Sequence, residues 1–471
     1  MHFFFKKQGL IMILLLPLIL YCEQRHGEGK PLQDYSSEAV PAAPEWVKNG
    51  VMYQIFPRTF SESGDFNGIR DRLDHLESLG VNIIWLMPIF PIGEKDRKGT
   101  LGSPYAVKNF REINPDLGCE EDLKALIADI HRRGMKVILG MVPNHGANDN
   151  VLMKEHPDWF MRDEKGRFTR EEKSWSDITD FNYANPHMRQ YMRETLLYWI
   201  REFDFDGFRF DVAGMVEKEF WKETIPLLRK EKEDIYLLAE WEDPELLLCG
   251  FNSDYDWTLY HLLKNIRHGR NRSAEVVNLV AEKDGKYPQN AVPMRFLENH
   301  DEQRSLAVFG APAIEAYARV LFTLPGLPLI YAGQEFGDIG SPDWMKFEPY
   351  TLKWEQFDST LFRMYRDLVH LRRHSGALTA GEFVPLSVAT AKGSAMAYFR
   401  LSPDEVFLVV SNLKSKPAEK VIVSMPDNVL KQFTDVEFKI WPEGETSVRA
   451  NNLYFPKINA FSTLIFRIKL K

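Results

Sequence analysis

Arg209 and Asp211 stand two positions apart in the run Phe205-Asp206-Gly207-Phe208-Arg209-Phe210-Asp211-Val212-Ala213. In an extended chain residues i and i+2 share a face, so both side chains point the same way at the C-terminal end of a strand. A guanidinium beside a carboxylate favours the ionised form, which suits a nucleophile or an anion clamp. Taken alone, a buried structural ion pair explains the pattern equally well. Two more carboxylates follow at comparable places. Glu240 ends the apolar run 235–239 and precedes Trp241, and His300 and Asp301 come shortly after the run 293–297. Desolvation raises a carboxyl pKa, so Glu240 is expected to keep a proton where Asp211 does not. One carboxylate that attacks and another that donates a proton is what double-displacement glycoside hydrolysis requires. Each also has a plainer reading: Asp211 as a helix cap, Glu240 as a rim salt bridge, Asp301 as a turn residue.

These residues need a frame that brings strand ends together. From residue 51 apolar strand-like runs alternate with amphipathic helices. Strands are expected at 51–56, 81–86, 136–142, 205–213, 235–239, 293–297 and 327–332, with a poorly marked one near 254–259. Ile69, Leu73, Leu76 and Leu79 repeat at helical spacing before Gly80, as do Leu123, Leu126, Ile127 and Ile130 before Gly134. Buried strands alternating with helices imply a parallel sheet. About eight such units fit an α/β fold of the (β/α)8 TIM-barrel type, whose chemistry sits at the C-terminal strand ends. The connection after strand three, 146–186, is far longer than the usual few residues and reads as a short inserted domain. Beyond residue 379 short strand-like runs separated by turns imply a C-terminal antiparallel β-sandwich. The barrel is therefore assigned to 46–378 and the sandwich to 379–471.

A chain of 471 residues accommodates one large and one small domain. Its net charge of −8 argues against nucleic-acid and anionic-membrane partners. Lys6 and Lys7 precede an apolar run from Leu10 to Leu20 that is short for a membrane span, and Cys22 follows it. Residues 1–22 resemble a bacterial lipoprotein signal with Cys22 as the lipidated residue, although Tyr21 stands where a small residue is usual. Plain secretion is the alternative. Residues 23–45 read as a flexible linker. The expected location is thus the cell envelope, the periplasm or the exterior, with membrane contact only through the lipid. An exported Cys119 and Cys249 could form a disulfide, but two reduced, partly buried thiols are the expected state.

The chain resembles glycoside hydrolase family 13, the α-amylase family, from about residue 46 to its C-terminus. The resemblance rests on Val-Pro-Asn-His (142–145), Gly-Phe-Arg-Phe-Asp (207–211), Ala-Glu-Trp (239–241), Phe-Leu-Glu-Asn-His-Asp (296–301) and Gly-Leu-Pro-Leu-Ile-Tyr-Ala-Gly-Gln-Glu (326–335). It implies Asp211 as nucleophile, Glu240 as acid/base and Asp301 as transition-state stabiliser. Arg209, His145, His300 and Trp241 would contact substrate, and Tyr105 would stack on a sugar. Asn144 matches a position that often ligates calcium, with Asp177 or Asp180 as further oxygen donors. The loop 63–68 lacks the Asp/Asn string of a second calcium loop.

Three departures bear on substrate rather than on reaction class. Gly140 stands where the family motif begins with aspartate, so Arg209 is expected to lean more heavily on Asp211. Ala213-Gly214-Met215 follows the nucleophile where many α-amylases carry Lys and His. The stretch 177–182 matches neither the common amylase nor the common α-1,6-glucosidase form. The expected activity is retaining hydrolysis of α-1,4 bonds in starch, glycogen or maltodextrins. Transglycosylase, isomerase or α-glucosidase action within the same family is the alternative. A non-catalytic glucan-binding lipoprotein is disfavoured because all three carboxylates are present.

Overall fold

The structure, a computed structural model, describes residues 32–340, 347–425, 438–441, 447–449 and 452–469. Cys22 and the signal-like segment lie outside the described residues. Seven parallel strands form one sheet: Met52–Ile55, Ile83–Leu86, Lys136–Met141, Gly207–Phe210, Tyr236–Ala239, Met294–Arg295 and Leu327–Tyr331. Their spatial order runs fifth, fourth, third, second, first, last and then Met294–Arg295. The gap between Tyr236–Ala239 and Met294–Arg295 is closed by single parallel bridges, Leu238 with Ser253 and Tyr255 with Met294. That irregular sixth segment completes the barrel. It ends sooner than the 254–259 expectation, because the Asp256 carboxylate accepts from Leu259 N at 3.1 Å and starts the helix Trp257–Arg267.

Side-chain alternation separates two cores. Met52, Ile83, Trp85, Ile138, Tyr236, Leu238, Tyr255, Met294 and Leu329 fill the barrel interior. Ile84, Leu86, Phe208, Phe210, Leu237 and Ala239 face the helices instead. Arg209, between Phe208 and Phe210, therefore points inward. The helix that feeds it, Pro186–Phe203, buries Met188, Met192, Leu196, Trp199 and Phe203 on one stripe. Asn185 caps its start, and Asp204 ends it with φ 59°.

The excursion after the third strand is held by a two-stranded antiparallel ladder, His145–Ala147 with Ile178–Asp180. The C-terminal strands form a curled eight-stranded antiparallel sheet. Its strand Glu382–Ala389 pairs with Met396–Leu401 through its first half and with Ala418–Ser424 through its second. Leu408, Val410, Val421, Val423 and Phe455 pack between the two halves. Arg319 and Tyr317 on the barrel helix Ala311–Thr323 donate to Thr463 O and Leu413 O, at 2.9 Å each, and tie this layer to the barrel.

The flexible-linker expectation for 23–45 needs correction in its second half. Residues 35–40 lie along 286–289, with Tyr35 N to Lys286 O at 2.7 Å and Val40 N to Gln289 O at 3.0 Å. Val40 and Ala43 are buried. Those two apolar side chains and the backbone pairing overcome a polar composition. Cys119 is exposed, Cys249 is buried, and both are free.

Candidate active site

Arg209 is fully buried at the end of the fourth strand. Gly207 allows that strand to lie close to the fifth, since a Cβ there would sit 2.1 Å from Tyr236 O. Arg209 Nη1 donates to Asp211 Oδ1 at 2.8 Å, and Nη2 contacts Glu240 Oε1. Its Nε donates to the Tyr255 hydroxyl at 3.1 Å. The expectation that Arg209 leans on Asp211 is thus incomplete: it is shared among three groups. Trp85 lies beside the guanidinium, 5.2 Å from ring centre to Cζ.

Just past Asp211, Val212 adopts φ 38°, a left-handed conformation uncommon for a β-branched residue. This turn aims Val212 N at Glu240 Oε2, 2.7 Å away. Strain of this kind persists only where its surroundings hold it. Glu240 is fixed at its other end by its own N–H on Phe210 O at 3.0 Å.

Electrostatics separates the two carboxyl groups. Burial pushes Glu240 up; Arg209 opposes, and the neighbouring Asp211 charge adds to the rise. Burial also raises Asp211, against the ion pair and hydrogen bond from Arg209. The interaction between the two carboxyls lowers Asp211 and raises Glu240, which favours ionised Asp211 and protonated Glu240. Arg209 makes its well-formed hydrogen bond to Asp211, so we assign the ionised member there. Asp301 is raised by burial and then by Glu240. Its side chain is 39% exposed, so solvent screens much of that effect.

The rim collects the remaining expected residues. The Asp301 loop is pinned by Arg304, whose Nη1 donates to Glu298 Oε1 at 2.7 Å and Ala332 O at 2.8 Å. His300 stacks on Tyr105 at 5.6 Å, and its Nε2 contacts the Tyr105 hydroxyl. His145 Nε2 lies 4.0 Å from Asp211 Oδ2. Burial lowers the pKa of both histidines and favours neutral rings. Trp241 lies against Gly214, where a Cβ would meet its ring at 2.3 Å. Seven of the eight side chains expected at the catalytic and substrate-binding positions therefore sit at or just past the strand ends, and Tyr105 reaches them from the long loop after the second strand.

Calcium fits less well. Asn144 Nδ2 faces Asp180 Oδ1 and His145 Nδ1, both at 3.2 Å. Asp180 Oδ2 accepts from Glu171 N at 2.7 Å, and Asp177 Oδ1 faces Lys98 Nζ at 3.2 Å. Calcium takes six to eight oxygens. Here both Asp180 carboxylate oxygens and Asp177 Oδ1 face N–H donors. No cluster of three metal-ligating His, Cys, Asp or Glu side chains occurs among the described residues. The set does not fit the ion.

Three side chains at the site escaped sequence reasoning: Gln54, Tyr255 and Trp85. Gln54 carried a usable signal, a polar residue inside the apolar run 51–56. Tyr255 and Trp85 carried none, because a barrel-core aromatic looks the same in sequence whether or not an arginine lies beside it.

Comparisons with known proteins agree with this geometry. Residues 54–369 match the family model described as the α-amylase catalytic domain. The chain is 33% identical over 391 residues to the α-amylase MalA of Haloarcula japonica, covering 80% of this chain and 57% of that protein. A solved noncanonic maltogenic α-amylase, AmyB of Thermotoga neapolitana, superposes with a TM-score of 0.82 at 32% identity, covering 90% of this chain and all of that one. An α-amylase of Lactobacillus plantarum does so at 0.78 and 31%, covering 89% and 99%. With the motif residues converging on one barrel rim and the family model spanning most of the barrel, the chain belongs to the α-amylase family of glycoside hydrolases.

Proposed function

We propose that this protein hydrolyses α-1,4-glucosidic bonds of starch-, glycogen- or maltodextrin-like chains with retention of configuration. The observation that carries this is that one buried arginine binds both Asp211 and Glu240, which holds the two carboxyl groups close together. An inverting enzyme needs a water between its carboxyl groups, roughly 6.5–9.5 Å apart, whereas a retaining pair sits closer. Asp211 attacks the anomeric carbon as Glu240 transfers its proton to the departing glycosidic oxygen. The glycosyl–Asp211 ester forms as that C–O bond breaks. Glu240, now ionised, takes a proton from the incoming water, whose oxygen attacks the same carbon and frees the Asp211 carboxylate. Asp301, Arg209 and the neutral histidines would bind the sugar through this sequence. Similarity to an α-amylase and a maltogenic α-amylase supports the same substrate class.

Incubation with maltoheptaose tests the reading, with products identified by mass and linkage. Shorter maltooligosaccharides of retained α-configuration are expected. An inverted product would exclude the mechanism. One observation favours a second reading: Trp241 presents a flat half-buried ring beside Glu240, over the side-chain-free Gly214. Such a surface suits a sugar acceptor, and products longer than the substrate would establish transfer in place of hydrolysis.

Export with lipid attachment at Cys22 is part of the proposal, supported by the Lys-apolar-Cys order of residues 6–22. Palmitate labelling that persists in Cys22→Ser would exclude it. As the residues of the expected calcium site face other donors, the reaction is proposed to run without that ion.

A further inference from the structure

Arg209 holds both members of the reacting pair, so whatever holds Arg209 bears on the chemistry. In the parallel register its neighbour on the third strand is Gly140 and its neighbour on the fifth is Leu238. Residues in register point the same way, so a side chain at either position would face the barrel interior beside the guanidinium. Neither position offers an acceptor. Gly140 also has little room for one, since a Cβ there would lie 3.1 Å from Pro88 Cδ and 3.2 Å from Leu86 O and Pro88 N.

The guanidinium edge that Asp211 and Glu240 do not reach is Nε. Its partner comes from two places along the sheet: the Tyr255 hydroxyl, 3.1 Å away, on the irregular sixth segment beside the fifth strand. Tyr255 is fully buried. Its backbone N donates to Trp241 O at 2.9 Å, which links its position to the residue after Glu240. Its ring meets Trp257 and Phe296 edge-on, with centroids 5.6 and 5.8 Å away. The hydroxyl is therefore delivered by a side chain with little freedom to move.

We propose that Tyr255 is the positioning residue of Arg209, supplying from the sixth segment the acceptor that Gly140 leaves missing on the third strand. Because this acceptor is neutral, the guanidinium charge stays undivided between Asp211 and Glu240. A carboxylate in the same place would draw on that charge and would stand beside two other carboxyl groups. Burial keeps the phenol protonated, consistent with a neutral partner.

This inference rests on the proposed retaining mechanism, and Tyr255→Phe tests it because that change removes one oxygen and preserves the ring. Wild type and variant are assayed side by side on an aryl α-maltoside across pH, and both are crystallised. The expected variant melts within a few degrees of wild type. Its kcat falls roughly tenfold or more with KM little changed, as misplacement of a catalytic group gives. The acid limb of its kcat/KM profile moves to higher pH, because a displaced Arg209 supports ionised Asp211 less. Its crystal structure shows the Arg209–Asp211 hydrogen bond lengthened or lost. Unchanged kcat and acid limb overturn the inference, as does a lowered melting temperature as the sole effect. A wild type inert on every α-glucan would overturn the functional reading instead. In that case an unmoved guanidinium in the variant crystal still refutes the role of Tyr255, and a displaced one supports it.

Discussion

Gln54 Nε2 lies 2.7 Å from His300 Nδ1, joining the first barrel strand to the loop after Met294–Arg295. An amide N–H in that contact makes Nδ1 the acceptor. The ring proton is then on Nε2, facing the Tyr105 hydroxyl and, at 3.5 Å, Asp301. The tautomer of His300 is thus set by a glutamine on the first strand.

Gln54→Leu should free His300 to change ring orientation while leaving the carboxyl pair in place. Losing one such buried hydrogen bond is worth about 1 kcal/mol, or roughly fivefold. We expect that loss mainly in KM for a maltoside. Steady-state kinetics check it, and a fall confined to kcat would contradict the assignment.

Glu240→Gln should lower kcat by about 10²–10⁴-fold, the usual contribution of a general acid. The same change should stabilise the fold at neutral and alkaline pH. Burial holds the Glu240 pKa above its unfolded value. Its contribution to stability is therefore complete below the unfolded pKa and disappears as pH rises through the folded one. Glutamine removes that dependence. Melting curves should coincide near pH 4 and separate in favour of the variant near pH 8. In the wild type the alkaline limb of kcat/KM should fall well above the range of a free glutamate.

Gly140→Asp restores the family residue but should not restore anything else. The new Cβ meets the backbone of residues 86 and 88 at 3.2 Å, and the new carboxylate enters a buried site already holding Asp211 and Glu240. Crowding of this order costs about 1–3 kcal/mol. A lower melting temperature and slower turnover are expected; a gain in both would show that Arg209 lacks a partner in the native protein.

Lys98 occupies the cationic role beside Asp177, whose side chain is only 4% exposed. Wild type should therefore melt at the same temperature in EDTA and in millimolar calcium chloride, with no stoichiometric metal by elemental analysis. Lys98→Met strands a buried carboxylate, which costs about 3–5 kcal/mol, and Lys98→Arg should recover most of it. A wild-type melting temperature that falls on chelation would place the metal there after all.

How much of this was legible from residue types alone differs between the strands and the groups around Arg209. Period-2 and period-3.6 apolar patterns marked the barrel strands and the long helix before the fourth, because burial on one face is written directly into residue order. The spacing of Arg209, Asp211, Glu240 and Asp301 at strand ends announced a carboxyl-based site. The sixth segment resisted, since it contributes single bridges at Ser253 and Tyr255 and leaves almost no periodic trace. Residues 32–45 read as a tether because composition does not record that a short polar stretch can pair its backbone with 286–289.

Local sequence therefore determined the fold class, the motif residues and the reaction they could perform. Tertiary structure alone decided what holds the Nε edge of Arg209 and whether oxygens near Asn144 face a metal ion or an N–H. Those are properties of distance and burial between residues far apart in the chain, such as Arg209 with Tyr255 or Lys98 with Asp177. Charge interactions and desolvation depend on those separations. A linear pattern carries no measure of them until the barrel closes.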